Sequence, residues 1–230
     1  MKKQGMILGG GAILIVLASL FYYAFFRESE SASVAIDEAV VGVNTDAASD
    51  DAVLLTIDSS QTTATFTIAE VLRGDDFVVV GTTDQVGGQI LFDADDLANS
   101  EIGEIVINAR TFVTDNNMRN NAINNRILFT DEFEFVRFQP TAINGLPDSA
   151  AVGDSVEVEI VGDLTIMDQT QSTTFAATLT YDRANQVSGT AMTTILYEEF
   201  GVEVPLTPSV SFVAEDLTMQ LDFVAVASGE

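Results

Sequence analysis

The chain of 230 residues contains no cysteine, no histidine and no tryptophan. Without cysteine it can have no disulfides, no thiolate nucleophile and no cysteine-ligated metal. Without histidine it lacks both the commonest metal ligand and the usual general base near neutral pH. Catalysis would have to rely on carboxylates, hydroxyls and arginine, so we expect a protein that is not an enzyme and that carries no metal or cofactor.

Positive charge is also scarce. Nine lysine and arginine residues face 35 aspartate and glutamate residues, which gives a formal net charge of −26, and no lysine follows Lys3. A groove that follows phosphates needs a basic surface, so nucleic acid is not expected as a partner. The acidic stretches FDADD (residues 92–96) and GDD (residues 74–76) lack the ligand spacing of a calcium loop and are interpreted as turns.

One long hydrophobic run lies near the start of the chain. The segment MILGGGAILIVLASLFYYAFF, from Met6 to Phe26, carries no charge over 21 residues. At a rise of about 1.5 Å per residue it can cross a hydrocarbon layer of about 30 Å. Lys2 and Lys3 precede it, so residues 1–27 are predicted to be a single-pass membrane anchor with a cytoplasmic N-terminus and an extracytoplasmic domain. A signal peptide, cleaved to leave a secreted or periplasmic protein, is the alternative.

The remainder divides into a linker and a domain. Residues 28–51 are acidic, rich in serine and alanine, and predict a flexible tether. Residues 52–230 contain about eight stretches rich in valine, isoleucine, threonine and phenylalanine, separated by turn residues, which predict strands. Residues 115–127 predict one short helix, because their apolar side chains have helical spacing. The fold class expected is all-β, an eight-stranded antiparallel barrel with one short helix after the N-terminal transmembrane helix; a two-sheet sandwich is the alternative.

Alternation of apolar and polar residues predicts which side chains face the interior. In VEVEIVGDLTI (residues 156–166) the apolar members lie on one face of the strand and the acidic members on the other. An eight-stranded barrel is either filled by such inward side chains or wide enough for one elongated ligand, and the pattern leaves both open. The inward set, which would line a channel, comprises Phe66, Ile68, Val78, Val80, Ile90, Phe92, Ile105, Ile107, Val158, Ile160, Leu164, Phe175, Leu179, Leu217, Met219, Leu221 and Phe223.

Six motifs occur in a characteristic order along the domain: TIDSSQTTATFTI (56–68), VGTTDQVGGQILFD (80–93), TDNNMRNNAI (114–123), RFQPTAI (137–143), GDLTIMDQTQSTTF (162–175) and EEFGV (198–202). Together they resemble the motifs of the YceI-like family of polyisoprenoid-binding, lipocalin-like proteins. The resemblance implies a hollow barrel that binds an isoprenoid lipid, such as a polyprenyl quinone or alcohol, outside the cytoplasm. Such a tail is held by buried area, at about 0.8 kcal/mol per methylene.

The resemblance also points to polar residues at the channel mouth. Arg119, with Asn116 and Asn120, would hydrogen-bond a quinone or hydroxyl oxygen there. Capping of the short helix is the alternative role for these side chains. The chain departs from the family pattern, which has His, Asp, His and Arg in this order, at four positions: Gln61, Asn120, Ala122 and Tyr197.

Two other functions stay open at this stage. One is a solid-core adhesion or assembly domain. The other is a hydrolase that uses the carboxylates of Asp168, Glu198 and Glu199, although adjacent acids in so acidic a chain usually lie on the surface. The oligomeric state and the length and head group of the ligand do not follow from the sequence.

Overall fold

The strands account for most of the domain. The computed structural model describes residues 19, 22, 33–45, 48–49, 51–183 and 185–227. Within these residues, thirteen strand segments form one sheet, and every strand pairing in it is antiparallel. They are β1 (Val53–Ile57), β2 (Thr63–Leu72), β3 (Asp75–Thr83), β4 (Val86–Gly87), β5 (Gln89–Phe92), β6 (Glu101–Ile102), β7 (Ile105–Asn108), β8 (Phe135–Asn144), β9 (Ser155–Ile166), β10 (Gln169–Arg183), β11 (Gln186–Leu196), β12 (Val210–Val213) and β13 (Asp216–Ala227).

The sheet curls around a central interior. Strands β7, β8, β9, β10, β11 and β13 are neighbours in that order, and β13 then pairs with both β1 and β2. Strand β3 pairs with β2, and β5 pairs with β1. On their other sides, β4 pairs with β7 and β5 pairs with β6. The all-β antiparallel class is therefore confirmed. The eight predicted stretches correspond to β2, β3, β5, β7, β9, β10, β11 and β13, and the other five segments are additional.

A short helix lies between β7 and β8, as the sequence predicts. Among the residues described between 33 and 227, the α-helical segments are α1 (Ile36–Ala39) and α2 (Asn117–Ala122), and α2 continues into a π-helical turn over Ile123–Ile127. Residues 109–134, which include α2, and residues 197–215, which include β12, form the connections at one end of the curled sheet, called here the helix end. Residues 93–103, which include β6, and residues 145–154 form the connections at the opposite end, called the far end.

Strand β8 was not among the eight predicted stretches. Its sequence FVRFQPTAIN alternates apolar and polar residues over positions 136–141, but the proline at position 140 argues against a central strand. The strand nevertheless forms, because β7 and β9 flank it on both sides and supply its hydrogen-bonding partners. A pairing shift between Pro140 and Ala142 accommodates the proline, which has no N–H to donate.

Residues 33–45, called here the strap, pack along the outside of the sheet. Ile36 is buried, and a Cβ added at Gly87 would lie 2.7 Å from Cγ2 of Val40, so the close approach depends on glycine. The N–H of Ser33 donates to Oε1 of Glu134 (2.9 Å) at the helix end. This packing differs from the flexible tether predicted for residues 28–51.

The predicted membrane span from Met6 to Phe26 lies outside the described residues, apart from Ser19 and Tyr22. In the part of the chain that the structure does describe, none of the helices has both the length and the apolar character needed to cross a membrane.

The two aspartate-rich stretches behave differently. Oδ1 of Asp93 accepts the N–H groups of Asp95 and Asp96 at 3.1 Å each, so residues 92–96 form a turn as predicted. In the other stretch only Gly74 is a turn residue, since the two aspartates that follow it begin β3.

The buried apolar side chains form three neighbouring clusters on the inner face of the sheet. One is built around Leu55 and Val86, one around Leu164 and Phe200 at the helix end, and one around Ile160 of β9. The interior between these clusters holds the candidate site.

Candidate functional site

The curled sheet encloses an apolar void of about 230 Å³, called here the large cavity. It extends from the middle of the sheet to the helix end, where residues of α2 and the following turn, among them Arg119, Ile123 and Ile127, complete its wall. Apolar walls of this kind favour an apolar guest over water, because a water molecule there would find few hydrogen-bonding partners.

A second void, of about 60 Å³ and called here the small cavity, lies toward the far end. Ile90, Ile102 and Phe223 line both cavities and therefore form the partition between them. Phe223 stands over β11, since a Cβ added at Gly189 would lie 3.0 Å from its ring. The interior is hollow in two parts, with side chains between them.

Most of the residues predicted to face a channel do line the large cavity. This confirms that alternation identifies the inner face in these strands, while their contact with a ligand stays a prediction. The twelve are Phe66, Ile68, Ile90, Ile105, Ile107, Ile160, Leu164, Phe175, Leu217, Met219, Leu221 and Phe223.

The prediction that Val78 and Val80 face the interior is wrong. Their side chains are 56% and 47% exposed, whereas Val79 between them is buried and lines the large cavity. The sequence FVVV has no alternation, so pairing with β2 decides the face. Val79 lies opposite the inward Ile68, and opposite residues in an antiparallel pair share a face.

Three further predicted residues occupy other parts of the interior. Phe92 and Leu179 line the small cavity. Val158 is buried but lines neither cavity. It lies on β9 between Val156, which lines the small cavity, and Ile160, which lines the large one, and so marks the level of the partition.

Arg119 carries the positive charge at the border of the large cavity. Its Nη2 donates to Oε1 of Glu70 at 2.9 Å, and its Nη1 pairs with Asp115 one helical turn earlier. The guanidinium also lies 5.5 Å from the ring centroid of Phe77, which faces Glu70 across β2 and β3. Arg119 thus connects α2 to the sheet and lines the cavity at the same time.

The other two residues predicted at the mouth serve the backbone. Oδ1 of Asn116 accepts the N–H groups of Met118 (2.8 Å) and Arg119 (3.3 Å) and so caps α2. Oδ1 of Asn120 accepts the N–H (2.8 Å) and the hydroxyl (2.6 Å) of Thr114. Neither asparagine lines the large cavity: Asn116 has the capping role, and Asn120 connects α2 to Thr114, which precedes the helix.

Tyr197 is a further polar group of the cavity wall. The side chain is buried at the end of β11 and lines the large cavity. Burial, together with the nearby charges of Glu198 and Glu215, raises the pKa of Tyr197 above its ordinary value. The hydroxyl therefore keeps its proton at neutral pH and can donate a hydrogen bond.

A buried polar cluster holds the loop that carries α2. Nη2 of Arg110 donates to the carbonyl oxygen of Thr130 at 2.6 Å, and Nδ2 of Asn108 donates to Oε1 of Glu134 at 2.9 Å. Burial opposes ionisation of Glu134, but the hydrogen bonds from Ser33 and Asn108 and the charge of Arg110 outweigh it and lower the pKa of this carboxyl. The strap and the α2 loop therefore share one carboxylate.

Several residues of the site were missed by sequence reasoning. Glu70 continues the inward series of Ala64, Phe66 and Ile68 on β2, so extending that strand by one pair would have found it. Phe112 and the side chains from loops, such as Val204, give no periodic signal, because loops have none.

The carboxylates considered for a hydrolase lie on the surface. Asp168 is exposed in the turn between β9 and β10, and Glu198 and Glu199 are exposed on the short 3₁₀-helix after β11. None of the three lines the large cavity.

Comparison with known proteins agrees with this geometry. The family model of the YceI-like domain matches residues 55–225. A comparison with curated proteins finds no match.

Two solved structures share the fold at low sequence identity. A polyisoprenoid-binding domain from Saccharophagus degradans implicated in plant cell wall breakdown has a TM-score of 0.60 and 12% identity, with 76% of this chain and 99% of that chain covered. BcnA from Burkholderia cenocepacia has a TM-score of 0.59 and 18% identity, with 74% of this chain and 99% of that chain covered. Since the family model spans most of the chain and the whole inner face described above, this protein belongs to the YceI-like family.

Proposed function

We propose that this protein binds an isoprenoid lipid in the large cavity and carries or sequesters it outside the cytoplasm. The observation that carries the proposal is a void of about 230 Å³ with apolar walls and a polar border at the helix end. Family membership supports it, since a structural neighbour is itself a polyisoprenoid-binding domain. An apolar tail gains about 25 cal/mol for each Å² that leaves water, so such walls are sufficient for affinity.

The volume limits how much of the lipid the resting structure can hold. An apolar cavity of about 150 Å³ can bind benzene, so a void of about 230 Å³ has room for a head group and the first part of a tail. A longer tail requires Ile102 and Phe223 to move, which would join the large cavity to the small one.

We further propose that the chain is anchored in the membrane from which the lipid comes. The strap begins beside Glu134 at the helix end, because Ser33 donates to that carboxylate. Six residues separate Ser33 from the predicted span that ends at Phe26, and six extended residues reach at most about 20 Å. An anchor there would hold the helix end, with the polar border of the large cavity, near the bilayer surface.

The test is the identity of the lipid that co-purifies with the full chain. The purified protein is extracted with organic solvent, and the extract is compared by mass spectrometry with an extract of the membranes from which it came. We expect isoprenoids to be enriched relative to phospholipids, because branched apolar chains fill the cavity. Repeated extracts without such enrichment would contradict the proposal.

A further inference from the structure

The large cavity is lined by very few charged side chains. Among the described residues that line it, Arg119 is the one cation and Glu70 the one carboxylate. The side chains are 16% and 8% exposed, so both charges are largely withdrawn from water. Any head group that enters the border of this cavity meets these two groups first.

Arg119 is already neutralised before a ligand arrives. Glu70 and Asp115 each contribute a carboxylate to the same guanidinium, which leaves this trio with a formal charge of −1. The remaining arginines of the described chain offer no replacement. Arg110 and Arg137 are paired with Glu134 and Glu104, and Arg73, Arg126 and Arg183 do not line the cavity.

An anionic head group would be opposed at this border. A phosphate would bring negative charge next to the buried Glu70, and like charges in a site shielded from water repel strongly. A phosphate that accepted the remaining N–H groups of Arg119 would still lie beside the carboxylate of Glu70, and displacing Glu70 would leave a buried carboxylate without its partner.

An uncharged oxygen is suited to the same groups. The carboxylate of Glu70 can accept a hydrogen bond from an alcohol, and the guanidinium of Arg119 has more N–H groups than its two carboxylate partners use, so it can donate to a ketone. Tyr197, which also lines the cavity, carries a further hydroxyl. These contacts leave the ion pair intact.

We propose that the Arg119–Glu70–Asp115 trio makes the large cavity selective for isoprenoids with an uncharged alcohol or quinone head, and that it rejects polyprenyl phosphates. This inference rests on the proposed function and specifies the ligand class of the same site.

The experiment offers the full chain two lipids that differ only in the head group. The chain, in phosphatidylcholine nanodiscs, is incubated with equimolar polyprenol and polyprenyl monophosphate of one chain length, and bound lipid is counted by native mass spectrometry. We expect at least a tenfold excess of bound alcohol. Equal binding, or an excess of the phosphate, would overturn the selectivity and leave lipid binding itself standing. Binding of neither lipid would overturn the proposed function, and this inference with it.

A pair of double variants shows whether the trio is responsible. Glu70→Gln with Asp115→Asn leaves Arg119 without an opposing carboxylate, and we expect the alcohol-to-phosphate ratio to fall at least tenfold. The control, Asp168→Asn with Glu203→Gln, removes two exposed acidic charges at the same end of the sheet and should change the ratio less than twofold. An equal change in the control would mean that overall surface charge decides, which overturns the proposal. Thermal unfolding followed by circular dichroism confirms that each variant folds.

Discussion

The two halves of the interior are built from the same strands, yet they are filled to different degrees. The apolar void toward the helix end measures about 230 Å³ and the apolar void toward the far end about 60 Å³, while a more open and more polar groove of about 700 Å³ lies between residues 96–102 and 140–148 at the far end. In the far half Leu97 and Leu146 enter from loops, and Phe92 packs edge to face against Tyr181 with ring centroids 4.9 Å apart. In the helix half the loops form a wall around the space. The difference shows that loops, more than strand alternation, decide where this sheet is hollow.

Removal of the partition should have the largest effect. Phe223→Ala deletes a buried ring between the two cavities, so we expect the free energy of unfolding to fall by about 3–5 kcal/mol. The joined void should also accept a longer isoprenoid tail. Urea unfolding measures the first effect, and mass spectrometry of lipids bound from a mixture of chain lengths measures the second.

The control for this variant is Phe212→Ala, which removes an exposed ring outside the interior. Its stability should change by less than about 0.5 kcal/mol. If Phe223→Ala binds the same lengths as the unaltered protein, the partition does not limit tail length.

A large side chain placed in the large cavity should remove the difference in void volume between the two halves of the interior. Ala191 is buried and lines the large cavity, so the ring of an Ala191→Phe variant has space to enter the void. We expect at least a tenfold loss of isoprenoid affinity, about 1.4 kcal/mol, because the ring occupies the volume of the ligand. Ala150→Phe is the matched change at the small cavity and should leave affinity unchanged. Equal losses in both variants would mean that the lipid extends through both cavities.

Acid should loosen the helix end through Glu134. Hydrogen bonds and the charge of Arg110 outweigh burial and lower the pKa of Glu134 in the folded protein, so the stability it contributes is present above its unfolded pKa of about 4.3. That contribution is lost as the pH falls through the lower, folded pKa. The free energy of unfolding, measured with urea, should therefore fall less between neutral pH and about pH 3 in the Glu134→Gln variant than in the unaltered chain. Glu132→Gln, at an exposed position, should keep the full pH dependence.

At the far end, Asp93 also has a lowered pKa and should contribute to the pH dependence of stability. The hydroxyl of Ser49 donates to Oδ2 of Asp93 at 2.5 Å, and that hydrogen bond is the main cause of the lowered pKa of Asp93. Stability contributed by Asp93 is likewise present above its unfolded pKa and lost as the pH falls through the folded one. Glu134→Gln should leave this part of the pH dependence in place.

The orientation of the two ends can be measured without a change in stability. The chain has no cysteine, so Leu206→Cys at the helix end and Val152→Cys at the far end each give one labelling site, at positions that are 62% and 57% exposed. Full-length protein in vesicles with acceptor lipids should show more energy transfer from position 206, because tilted strands of this length separate the ends by about 30 Å. Equal transfer, or more from position 152, would contradict the proposed placement of the helix end.

Much of the inner face could be predicted from residues alone. In β2, β9 and β13 the apolar positions recur with a strict period of two, and Phe66, Ile160 and Leu221 line the large cavity as expected. The prediction failed in β3, where four consecutive apolar residues carry no period and the pairing of Val79 with Ile68 selects the face.

The candidate site was less predictable, because its parts are distant in the chain. Glu70 and Arg119 are 49 residues apart and meet only because α2 lies over the end of β2 and β3. The strap was interpreted as a tether on composition, yet Ile36 finds a surface at Gly87 that no local pattern of the strap reveals.

The sequence by itself determined an acidic, all-β chain with a largely apolar inner face, because charge and side-chain alternation are properties of local order. Only the tertiary structure decided that the interior is divided, that Arg119 is neutralised by Glu70, and that the strap lies against the sheet. Each of these depends on volumes and distances between residues far apart in sequence, and the close packing of neighbouring elements sets them.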